Sequence, residues 1–130
     1  MTHKVREIRV PVTFTAAANV TAKTGAINGV INAIGINYSG DLTTALAGGG
    51  LDVVATEDGG VAREIMNRTN QTATFSHLPS LASQLADGTP AGEQIVGVGA
   101  RSVNFVFSLN AGGNLPAVAN AIELVVVVHN

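Results

Sequence analysis

The stretch Val103-Asn104-Phe105-Val106-Phe107-Ser108-Leu109, then the turn cluster Asn110-Ala111-Gly112-Gly113-Asn114, then Ala121 to His129, decides the fold class. Val103, Phe105, Phe107 and Leu109 recur at every second position, the period of a strand with one face buried, so two aromatic rings point into one core. The last segment places Ile122, Leu124, Val126 and Val128 on one side and Glu123, Val125, Val127 and His129 on the other. Its second side is half apolar, so the Val125/Val127 patch needs cover from a neighbouring strand, a loop or another subunit. Working outward, Ile8 to Phe14 alternates in the same way, and Pro11, which lacks a ladder donor, puts that strand at a sheet edge or at a bulge. Val30 to Tyr38 is apolar or small on both faces, as a central strand requires. Leu51 to Thr56 and Val61 to Met66 flank Glu57-Asp58-Gly59-Gly60, whose glycines suit the positive φ of a tight hairpin turn. Val20 to Lys23, Gln71 to Phe75 and Glu93 to Val98 are further short strand candidates. Asp41 to Leu46 fits one helical turn with Asp41 as its N-cap, stopped by Gly48-Gly49-Gly50, and Ser80 to Leu85 fits a short helix behind Pro79. Roughly seven to nine short strands without a sustained helical period predict a single all-β domain over 1–130, an antiparallel β-sandwich, jelly-roll-like, with short irregular or helical turns near 41–46 and 80–86.

A chain of 130 residues has room for one conventional apolar core without metal or disulfide staples, and it has no cysteine. Thiolate zinc sites, iron–sulfur clusters, disulfide scaffolds and thiol catalysis are excluded with it. Seven Lys and Arg against nine Asp and Glu give a net charge of −2, and only 12% of residues are charged, against a usual ~25%. So few cations argue against a nucleic-acid partner, which needs clustered Lys and Arg. The longest apolar run, Leu124 to Val128, is far short of the ~20 residues of a membrane helix, and the charged start from Met1 to Arg9 lacks the apolar stretch of a secretory signal. The expectation is therefore no membrane and no export, and the Asn-x-Ser/Thr triplets at Asn19, Asn37, Asn67 and Asn70 read as composition.

Nucleophilic catalysis would need Ser or Thr beside a histidine, and of His3, His77 and His129 only His77 lies inside the expected fold. Its neighbour Ser76 points elsewhere if the segment is extended, which leaves His77 as an ordinary loop histidine. The carboxylates Asp41, Asp52, Glu57, Asp58, Glu64, Asp87, Glu93 and Glu123 are scattered, without EF-hand or two-histidine metal spacing. Neither Gly48-Gly49-Gly50 nor Gly97-Val98-Gly99-Ala100-Arg101-Ser102 carries the Lys or the third glycine of a phosphate loop. No catalytic, cofactor or metal residue is assigned. Lys4, Arg6 and Arg9 hold three of the seven cations, which suits a grip on an acidic partner surface or, more commonly, a solvated strand end.

Gly29-Val30-Ile31-Asn32-Ala33-Ile34 leads to Asp41-Leu42, Leu51-Asp52-Val53-Val54 and Glu64-Ile65-Met66. Phe75 with Leu78-Pro79, Ala91-Gly92-Glu93-Gln94-Ile95, the Phe105/Phe107 strand, Gly112-Gly113 and the Val-rich end follow. In this order of segments, over about four-fifths of the chain, the sequence resembles small tailed-bacteriophage virion proteins that decorate or cement capsids. The resemblance implies a non-enzymatic β-sandwich on the outer surface of an assembled head, made in the host cytoplasm. It further implies the major capsid protein as partner, a homo-oligomer, often a trimer, and no catalytic residues to carry over. On that reading Val125 and Val127 serve self-association, and an extended arm within residues 1–9 contacts the shell through Lys4, Arg6 and Arg9. The alternative is a phage tail or host-adhesion module binding a receptor or carbohydrate, although the chain has no Trp and a single Tyr. An enzyme with a buried carboxylate pair ranks third.

Overall fold

The computed structural model describes residues 5–59, 63–78, 80–84, 90–95 and 97–129. In chain order these form β1 (Val5–Phe14), β2 (Asn19–Lys23), β3 (Ile27–Tyr38), α1 (Gly40–Leu46), β4 (Leu51–Glu57), β5 (Glu64–Gln71), β6 (Phe75–His77), β7 (Ser80–Gln84), β8 (Pro90–Ile95), β9 (Gly97–Arg101), β10 (Val103–Leu109) and β11 (Val118–His129). One sheet runs β1-β11-β3-β6, with β9 added along the start of β3, and the second runs β2-β10-β4-β5. All the pairings are antiparallel.

The pairs β1·β11, β2·β10, β3·β6 and β4·β5 are nested, first strand with last and inward to the middle. Rolling such a long hairpin brings β11 beside β3 and β10 beside β4, and both contacts are present. That is the jelly roll, with β7 to β9 inserted ahead of β10. The expected sandwich is therefore the observed one, and two details change. Ser80–Gln84 is a strand paired with β8, not a helical turn, because the partner backbone of β8 satisfies its polar groups. Residues 85 and 86 lie outside the described residues. At 41–46 the helix forms as expected, but its N-cap is Ser39, whose hydroxyl accepts from the Leu42 amide at 3.1 Å, while Asp41 sits in the first turn.

The core lies between the sheets. From one sheet come Val12, Phe14, Ile34, Ile36, Leu124 and Val126, from the other Val53, Ala55, Phe105 and Phe107, all buried. Alternation set these positions, since each of these strands turns every second side chain inward. Tilted rings of Phe14 and Phe107, with centroids 5.6 Å apart, join the sheets directly. The edges of the sandwich are blunted. β1 carries Pro11, β2 has five residues, β6 has three, and β5 pairs with β4 through two register shifts. A proline, short strands and irregular pairing all make an edge a poor template for a further strand.

Candidate functional site

The outer face of the first sheet is the candidate interaction surface. Register sets Val125 of β11 between Arg9 of β1 and Gly35 of β3, and Val127 between Glu7 and Ala33. Both valines are half-buried by these flanking residues, so the centre of the face is low and made of small side chains. On one flank Arg9 donates to Glu123 at 2.6 Å and to Glu7 at 2.8 Å. Glu7's hydrogen bond and charge, with Glu123, raise the Arg9 pKa, so this cation is held by its own neighbours. The expected self-association residues and Arg9 thus share one surface.

The other expected contacts do not join them. Lys4 lies outside the described residues. Arg6 stands opposite Val128, in the phase of the inward residues Ile8 and Val10, and is itself exposed. Successive side chains on a strand face opposite ways, so Arg6 and Arg9 cannot grip one surface together. Nor is Val5 to Arg9 a loose arm, since these residues pair with β11 from Val5↔His129 to Arg9↔Val125.

Several scattered carboxylates have local duties. Asp52 Oδ1 accepts from the Asn70 amide and from Asn110 Nδ2, both at 2.9 Å, tying the end of β5 to the turn after β10. Asp58 pairs with Lys23 at 2.6 Å, a hydrogen bond that lowers the Asp58 pKa, and Glu57 pairs with Arg63. Among the described residues no three His, Asp or Glu side chains gather as a metal site would require. Asp87 and Glu93 fall outside the described side chains.

One cluster had no sequence signal. Arg68 stands opposite the buried Val53, so its stem points inward at the open side of the sandwich, and its guanidinium reaches across to the other sheet. There its Cζ lies 5.0 Å from the centre of the Phe75 ring, Nη1 is 3.2 Å from His77 Nδ1, and Nη2 donates to Gln71 Oε1 at 3.3 Å. Tyr38 fixes the same corner, its hydroxyl donating to the Gln71 carbonyl at 2.6 Å and its amide to Thr74 Oγ1 at 2.9 Å. His77 is therefore engaged in packing the two sheets together. Burial, and then the Arg68 charge, lower its pKa, while a backbone hydrogen bond with Ile65 raises it.

Burial pushes the Tyr38 phenol up from 10.0 to about 12. A raised acid pKa stabilises the fold fully below the unfolded value, and the contribution is lost as pH rises through the folded one, here between 10.0 and about 12. Tyr38→Phe is expected to cost about 1 kcal/mol, the net worth of one hydrogen bond, and to remove that alkaline loss. Urea melts at neutral pH and at pH 11 would measure both. Comparison with known proteins gives no match: no family model fits the sequence, and neither a curated protein nor a solved structure matches it.

Proposed function

We propose that the chain is a non-enzymatic viral structural protein that decorates or cements a bacteriophage capsid, binding the major capsid protein and bracing joints between its subunits. The observation that carries this reading is the outer face of the first sheet, small and apolar at Val125, Val127, Ala33 and Gly35, with Arg9 paired to Glu7 and Glu123 on its flank. The small apolar centre at these four residues has no charge to desolvate, so it can lie against another protein at low cost while the Glu7–Arg9–Glu123 group stays solvated at its rim. The blunted edges support the same direction, because association by strand addition is disfavoured and the faces are left. The Val125/Val127 face contributes to self-association, and a trimer multiplies weak contacts with the shell by effective concentration. Of the basic residues, Arg6 keeps the role of shell contact best, since among the described residues no carboxylate is bonded to it as Glu7 and Glu123 are to Arg9.

The test is the double variant Val125→Asp, Val127→Asp. Both positions are half-exposed on the outer face, so the fold should persist by circular dichroism. Two unpaired carboxylates buried in an interface should weaken self-association roughly tenfold or more. Sedimentation should show a wild-type trimer shifted to monomer in the variant, and occupancy on purified heads should fall in parallel. An unchanged trimer with unchanged occupancy would remove this face from the reading. Cryo-microscopy of the parent particle separates a head position from a tail position.

A further inference from the structure

We propose that Arg68 and His77 form a proton-operated clamp that holds β6 across the open side of the sandwich. A guanidinium has only donors, so with Nη1 3.2 Å from His77 Nδ1 that ring nitrogen must be the acceptor, and the imidazole must be neutral. Protonation turns Nδ1 into a donor facing a donor and sets two cations against each other. β6 has little else to hold it. It is three residues long and, among the described residues, pairs with Ile34 to Ile36 of β3; its ties to the second sheet are Arg68, over Phe75 and at His77, and the hydrogen bond between His77 and the Ile65 backbone.

The charged and titratable groups on the elements packed against β6 are few. β5 contributes Arg68 and, at its exposed start, Glu64, and β3 contributes Tyr38, neutral at these pH values. Arg68 is the group whose charge acts on His77, and it acts against protonation. Among the described residues no carboxylate is placed to offset that repulsion, so acidification loosens the clamp. The direction of change follows from linkage. A histidine whose folded pKa lies below its ordinary 6.5 contributes stability that is fully present above 6.5 and is lost as pH falls through the folded value. The strand released leads directly to Leu78, already 72% exposed, and on to the β7–β8 excursion, so the device would free one corner of the jelly roll while β1·β11 stays closed.

Amide hydrogen exchange on the full chain between pH 7.5 and 5, corrected for the intrinsic pH dependence of exchange, tests this. Protection at Ile34, Ile36, Phe75 and His77 should fall by up to about tenfold per pH unit below 6.5 and then level off, while protection in β1·β11 stays constant. His77→Gln, which offers a neutral acceptor at every pH, should flatten the profile. A wild-type profile that is flat, or one shared by His77→Gln, would overturn the clamp. Should that variant not fold, the wild-type imidazole titration followed by NMR decides instead. A midpoint below 6.5 that moves upward in Arg68→Met supports the clamp, and a midpoint at or above 6.5, or one indifferent to Arg68→Met, defeats it.

Discussion

Phe107→Ala is expected to destabilise the protein by about 3–5 kcal/mol, a large part of the ~5–15 kcal/mol that holds a typical domain together. Phe107 is fully buried, stands opposite Val20 and Val53 in its own sheet, and meets Phe14 of the other sheet at 5.6 Å between ring centres. Truncation loses the transfer energy of a ring, the tilted aromatic pair and the contacts lining the cavity left behind. The cavity cannot close easily, because β10 is central in its sheet and held by β2 and β4 on either side. Val106→Ala is the matched control, one residue away but on the outward face, with an expected cost of no more than about 1 kcal/mol. Urea denaturation of the two variants separates them, and a Phe107→Ala midpoint equal to that of Val106→Ala would show that the sheets are not joined where the rings meet.

How much of this was legible in sequence depends on how local the signal is. The phases of β1, β3, β10 and β11 were readable because strand alternation is written in adjacent residues, and of the edge or bulge that Pro11 called for, β1 shows the edge. The reversal between β4 and β5 was readable in part: Gly59 adopts φ +86, a region only glycine enters freely, while residues 60–62 lie outside the described residues and β5 begins at Glu64, later than the expected Val61. Three features were not. The N-cap moved from Asp41 to Ser39 because the Ser39 amide is also bound to the Ala121 carbonyl at 2.9 Å, an anchor from β11 that starts the helix earlier. The segment at 80–84 became a strand because a partner at 90–95 was available, a pairing that no window over 80–86 contains. The clamp was invisible because Arg68, Phe75, His77 and Tyr38 come from three strands, and only the β4·β5 register sets Arg68 opposite Val53. For the candidate face, alternation along the last segment singled out Val125 and Val127. The pleat and the Glu7–Arg9–Glu123 ion pairs, which decide what surrounds them, came only with the fold.

Gly50→Ala is expected to cost about 2–3 kcal/mol, for a reason of space alone. A Cβ at position 50 would stand 2.2 Å from Asn70 Oδ1, and also 2.8 Å and 2.9 Å from the Asn70 carbonyl carbon and Cα. A side-chain amide can turn away, but the two backbone atoms cannot, because Asn70 is fixed at φ 52 with its amide bonded to Asp52 Oδ1. Gly50 has no more freedom, its own carbonyl accepting from the Asn110 amide at 3.0 Å. Either the start of β4 or the end of β5 must therefore shift, and both hold register through Leu51↔Gln71. A shift there strains the Asp52 bonds to Asn70 and Asn110 together, so the loss exceeds that of any one hydrogen bond. Gly40→Ala provides the contrast. An added Cβ meets nothing within 4 Å at the first residue of α1, and a better helix former with a less mobile unfolded state should gain about 0.5 kcal/mol. Thermal melts of the two variants should thus move in opposite directions from the parent, and a Gly50→Ala melt at or above the parent value would mean that β4 and β5 do not approach there as closely as this contact requires.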